Sequence, residues 1–97
     1  MSNTVINILV VDDHSMVIEG MRAILEKISS VKLIATATNA IEAIAALRKQ
    51  PVQIVFVDIN MPDISGIELC GKIKQEFPSV SVLALSTFKQ QIGRAHV

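Results

Sequence analysis

Residues 52–62 read VQIVFVDINMP, and this stretch decides the fold. Ile54, Val55, Phe56 and Val57 form an unbroken apolar run rich in β-branched side chains, the composition of a strand buried on both faces of a parallel sheet. The run stops on Asp58, ahead of a turn marked by Asn60, Met61, Pro62 and Asp63. Open α/β sheets place their chemistry outside the carboxyl ends of the strands, which is where this acid stands. The start of the chain repeats the pattern. Ile6, Ile8, Leu9, Val10 and Val11 run into Asp12 and Asp13, so three of the four aspartates terminate two hydrophobic strands.

Working outward, strand and helix periods alternate. A strand over about residues 7–11 precedes a helix whose apolar face is read as Val17, Ile18, Met21, Ile24, Leu25 and Ile28, with Ser15 as its cap and Ser29–Ser30 as its end. VKLIATAT (31–38) reads as a second strand, and Asn39 as the cap of a helix with Ala40, Ala43, Ile44 and Leu47 inward, stopped at Gln50–Pro51. After the acidic turn a third helix begins near Ser65, burying Ile67, Leu69, Cys70, Ile73 and Phe77 and closing at Pro78. VSVLALS (80–86) is the fourth strand. The order β-α-β-α-β-α-β with short connections implies right-handed crossovers and a doubly wound α/β sheet with helices on both faces.

Composition narrows the function. Ninety-seven residues with 51% hydrophobic content make one globular unit, and nine basic residues against nine acidic leave no cationic field for sequence-independent nucleic-acid binding. One cysteine, Cys70, forms no internal disulfide, no leader pattern opens the chain, and no apolar run approaches the ~20 residues of a membrane span. A cytoplasmic location is therefore expected.

Three carboxylates brought to one edge repel one another unless protons or a cation offset them. Hard oxygen donors at an accessible edge suit Mg²⁺. With it, a carboxylate can attack a phosphoryl group and become an aspartyl phosphate. Asp58, alone on the middle strand, is the best-placed nucleophile, and Ser86 ends the neighbouring strand where its hydroxyl can bond a phosphoryl oxygen. His14 is expected to start the first helix at the rim, Cys70 to be a small core residue, Met61 to be partly exposed, and Lys72 and Lys74 to form a solvated helix face.

Taken together, VVDDHS (10–15), VFVDINMPDISGIEL (55–69) and VLALST (82–87) resemble the receiver domain of two-component response regulators. The VDDH detail, Gly20 and DINMPDISG look most like receivers that precede a LuxR/NarL-type helix-turn-helix domain. The resemblance spans about residues 6–88. It implies a flavodoxin-like sheet in the order 2-1-3-4, phosphorylation of Asp58 by a sensor histidine kinase, and Mg²⁺ bound by Asp13, Asp58 and the Asn60 backbone carbonyl. Asp12 would act through a metal-bound water, Ser86 would be the switch hydroxyl, and the turn around Pro62 and Gly66 would shape the acceptor loop. The parent protein is expected to be a DNA-binding transcriptional regulator, and the domain a regulatory phosphoacceptor rather than an enzyme.

The family's phosphate-pairing lysine and switch aromatic on a fifth strand have no counterpart here, and Lys89 is no substitute. IGRAHV (92–97) resembles the in-frame translation of a sequencing adapter. The expectation is a C-terminally truncated receiver over residues 1–91 with a non-native tail at 92–97. It leaves the fourth strand as an apolar edge open to association. Two rivals stand beside this reading: an aspartyl-phosphate phosphohydrolase, which would usually carry a second acid where Asn60 lies, and a non-phosphorylatable fragment or degenerate receiver that acts only as a binding module.

Overall fold

A computed structural model describes residues 4–61 and 66–85. The order is β1 (Ile6–Val11), α1 (Ser15–Glu26), β2 (Val31–Ala37), α2 (Ala40–Lys49), β3 (Ile54–Asp58), α3 (Gly66–Glu76) and β4 (Ser81–Leu85). Among the described residues the strands form one parallel sheet in the order β2-β1-β3-β4, the doubly wound, flavodoxin-like arrangement expected. Ser86, Lys89 and the expected boundary at Gln91 lie outside the described residues, as do Pro62 and Ser65.

The two-residue period of the strands sorts their side chains between two cores. Leu9, Val11, Val55 and Val57 are fully buried on the side covered by α2 and α3, where they meet Ala43, Leu47, Leu69 and Ile73. Ile8 and Val10 point the other way onto Ile18 and Leu25 of α1, with Ile54 and Phe56 partly buried beside them. Met61 is also in the α2/α3 core at 6% exposure, so the expectation of a partly exposed loop methionine is wrong. Its flexible thioether fills space beside the end of β3.

Helix faces are narrower than the sequence pattern indicates. In α1 the buried stripe is Ile18 and Leu25, with Met21 half-buried, while Ile24, and Ile28 just past the helix end, are exposed. In α3, Leu69 and Ile73 are buried and Cys70 is intermediate, but Ile67 is 70% exposed. Each helix lies on one face of a sheet, so one stripe finds a partner and an apolar residue about 100° away does not.

The helix ends also carry surprises. Asn39 caps α2 as expected, its side chain accepting from the Glu42 N–H at 2.8 Å. Glu42 reaches back to accept from the Thr38 N–H at 2.8 Å and the Thr38 hydroxyl at 3.0 Å, a variant of the capping box. Ser15 is not the cap of α1: that position is His14, which makes no side-chain cap bond, and Ser15 is the first helical residue. Lys74 is not merely solvated. Its ammonium donates to the carbonyls of Pro78 (3.0 Å) and Val80 (2.7 Å), tying the end of α3 to the start of β4. Arg48 of α2 forms a two-pronged pair with Glu76 of α3, at 2.7 and 3.1 Å.

Gly66 is buried where α3 begins, against the end of β3. A Cβ there would overlap the Asp58 carbonyl oxygen and the Ile59 Cα, whereas a Cβ at Gly20 or Gly71 would meet nothing within 4 Å. Gly20→Ala and Gly71→Ala are therefore expected to stabilise the chain by about 0.5–1 kcal/mol each in urea unfolding. Gly66→Ala is expected to destabilise it; equal stabilisation by all three would contradict the close approach.

Removing the cap with Asn39→Ala is expected to cost about 1 kcal/mol in the same assay. The Thr38 backbone N–H, then its hydroxyl, hold the Glu42 carboxyl below its usual value of 4.5. A lowered folded value means that this contact stabilises the fold above the unfolded value and is lost as the pH falls through the folded one. Relative to wild type, Glu42→Gln should thus flatten the acid limb of stability, as measured by unfolding at a series of pH values.

Candidate functional site

Register brings the acids together. β1 pairs with β3 in parallel, Val11 opposite Val57, so the next residues on the two strands, Asp12 and Asp58, leave the sheet side by side. Both are fully buried at 0% exposure, beneath Asp13 and His14, whose side chains are 24% and 50% exposed. One ligand atom from each of Asp12, Asp13, His14 and Asp58 can be chosen so that all lie within 4.8 Å of one another. The expectation that the acids of strands one and three share an edge is met.

Local backbone geometry holds two of the carboxylates in place. Asp12 Oδ1 accepts from the His14 N–H at 2.8 Å, and Asp58 Oδ1 accepts from the Asn60 N–H at 3.0 Å. Each is an aspartate bonding the backbone two residues on, which turns the chain sharply as it leaves the strand. The flanking backbone is anchored as well, Asp12 N–H to the Ala37 carbonyl at 2.9 Å and Ile59 N–H to the Leu85 carbonyl at 3.1 Å. The carboxylates are therefore preorganised by the sheet rather than by a mobile loop.

The donor set fits a hard divalent cation. Three carboxylates supply oxygen, the atom Mg²⁺ prefers, and Asp13 with its partial exposure leaves an approach from solvent. Charge argues the same way, because carboxylates a few ångströms apart in a dry setting repel strongly and a cation offsets them. Asn60, expected to lend its carbonyl, lies two residues beyond Asp58 and uses its N–H on that carboxylate. Leu85 pairs with Asp58 across the β3–β4 ladder, immediately before Ser86 in sequence.

His14 starts α1 at the rim, as expected, and its ring also reaches the acids. Its Nδ1 stands 2.9 Å from Asp13 Oδ1 and 3.6 Å from Asp12 Oδ1, so the imidazole belongs to the cluster rather than only to the rim of the helix. Its adjacency to Asp12–Asp13 in the chain was the available signal. Among the described residues, two surface hollows lie elsewhere: one between α2 and α3 beside Arg48 and Lys72, another between α3 and β4 beside Cys70 and Lys74. Neither includes an acid of the cluster, and we place the chemistry at the carboxylates because charge and burial converge there.

Comparison with known proteins agrees with this geometry. Residues 8–96 match the response regulator receiver domain family. The chain is 37% identical over 81 residues to the response regulator UvrY of Escherichia coli K12, covering 84% of this chain and 37% of that protein. It is 39% identical over 84 residues to the transcriptional regulatory protein LnrK of Bacillus subtilis 168, covering 87% and 38%. The non-phosphorylated receiver domain of RcsB from Escherichia coli superposes with a TM-score of 0.79 at 31% identity, over 96% of this chain and 74% of that one. Salmonella enterica RcsB bound to the rprA promoter in the presence of phosphomimetic BeF3⁻ gives 0.77 at 32%, over 81% and 46%. The chain thus spans a little over a third of the length of these curated relatives. With its sheet order, its convergent aspartates and these likenesses in agreement, the chain belongs to the response regulator receiver domain family.

Proposed function

We propose that Asp58 accepts a phosphoryl group from the phosphohistidine of a sensor kinase, in a site completed by Mg²⁺. One observation carries the reading: ligand oxygens of Asp12, Asp13 and Asp58 converge within 4.8 Å at the carboxyl end of the sheet. Asp58 is the acceptor because it terminates the central strand β3, flanked by β1 and β4. Its Oδ1 accepts from the Asn60 N–H, which holds the carboxylate in place for attack by one of its oxygens. Attack forms a bond from an Asp58 carboxylate oxygen to phosphorus and breaks the phosphorus–nitrogen bond of the donor, whose imidazole departs with the electron pair and takes up a proton. When bound, Mg²⁺ would supply neutralisation of charge on the transferring oxygens. Asp13, Asp58 and the Asn60 carbonyl would hold it directly and Asp12 through a water.

Ser86, which follows Leu85 and the end of β4, would bond the new phosphoryl group as the switch hydroxyl. Phosphorylation then acts as a local charge change that biases a two-state equilibrium. In a parent protein of LuxR/NarL type the output would be DNA binding through a helix-turn-helix domain, in the cytoplasm. Supporting this, the relatives carry names of transcriptional regulators and RcsB is seen on promoter DNA. No helix among the described residues is long and apolar enough to cross a membrane. The relatives are named as regulators rather than enzymes, and the position two residues after Asp58 is Asn60, which weighs against a phosphohydrolase.

Labelling with a small phosphodonor tests the assignment. Wild type should take up one phosphoryl group with Mg²⁺ present, and Asp58→Asn or chelation should abolish uptake. Labelling that survives Asp58→Asn would refute it, and absence of labelling in wild type would favour the binding-module reading. Among the described residues β4 is an edge strand with Leu83 47% exposed, which supports association through it. Sedimentation should show a concentration-dependent assembly that Leu83→Lys weakens; a monomer at all concentrations would count against it.

A further inference from the structure

The valley between α2 and α3 is open to solvent and lies apart from the acids at the carboxyl end of the sheet. Two overlapping hollows of about 470 and 330 Å³ occupy it, sharing Ile44, Arg48 and Lys72. One end is apolar. Ala40, Ile41, Ile44 and Ala45 of α2 line it, and Ile41 is 82% exposed. The other end carries charge, and there the two helices are clamped together by Arg48 on Glu76 at 2.7 and 3.1 Å. Lys72 is exposed and makes no hydrogen bond or ion pair among the described residues.

We propose that this trough binds a small amphiphilic carboxylate, its apolar tail along Ile41, Ile44 and Ala45 and its head group on the Lys72 ammonium. Charge sets the sign of the ligand. Glu76 is already satisfied by the Arg48 guanidinium, so the uncompensated group beside the apolar wall is a cation. Size decides between occupants. α2 has ten residues and is about 15 Å long, too short a platform for a second copy or a protein helix to bury the roughly 1,000 Å² of a stable protein interface. Its hollows instead fall within the roughly 300–1,000 Å³ of small-molecule sites. From Ala40 to Arg48 the helix rises about 12 Å, a distance that the extended chain of decanoate spans. Covering Ile41 supplies the driving force, and the solvated ion pair with Lys72 selects an acid over an alcohol.

The test is an NMR titration of the isotope-labelled full 97-residue chain with decanoate, kept below micelle formation. Saturable shifts should appear at Ile41, Ala45 and Lys72. Decanol, with the same tail and no charge, should bind about fivefold more weakly, and acetate, with the head alone, should shift none of the three. Lys72→Gln should weaken decanoate about fivefold and leave decanol unchanged. Ala45→Glu, an exposed substitution that helices tolerate, should abolish binding by filling the trough and repelling the carboxylate, with circular dichroism confirming the fold. Equal affinity for decanol and decanoate, no effect of Lys72→Gln in the folded chain, or shifts centred on Cys70 and Val82 beside the α3/β4 hollow would overturn the proposal. Shifts at Ile41 that follow protein concentration instead of decanoate would assign the trough to a second copy and overturn it as well.

Discussion

The parallel pairing of β1 with β3 is the constraint on which everything else depends. With Val11 opposite Val57, the strands deliver Asp12 and Asp58 to the same edge at the same height. A slip of one residue would turn every inward side chain of a strand to the other face, so the core and the acid cluster are specified together. Leu9, Val11, Val55 and Val57 are completely buried. The hydrophobic packing that stabilises the fold is thus also what holds two carboxylates beside each other against their repulsion.

Such a cluster is a local cost to stability. Buried charge is unfavourable unless hydrogen-bonded or paired, and part of the compensation comes from the backbone N–H groups of His14 and Asn60. The same bonds turn the chain sharply at the end of each strand. Gly66 continues this economy of space: α3 starts so close to the Asp58 carbonyl that no side chain fits between them. Packing around Asp58 is tight where α3 begins, while Asp13 and His14 beside it are partly exposed to solvent.

The strands were legible because a two-residue alternation and long apolar runs leave little choice of structure. Asn39 was legible as a cap because its side chain acts within a few residues. Apolar residues on helix surfaces were not: Ile24 and Ile67 match the helical period as well as Leu25 and Leu69 do, and only the direction from which the sheet approaches separates them. Lys74 reads as an exposed charge, yet it bonds two carbonyls beyond its own helix. His14 reads as a helix-start residue, and its nearness to Asp13 depends on a ring orientation that periodicity does not carry.

The sequence by itself determined the alternation of strands and helices, the parallel sheet that follows from it, and the presence of three acids at strand ends. These follow from local patterning and from the handedness of short crossovers. Tertiary structure alone decided which helix stripes are buried, that Met61 turns into the core, and that an imidazole joins the carboxylates. Those outcomes depend on where segments distant in the chain meet, and burial and electrostatic proximity are properties of that meeting rather than of any one segment.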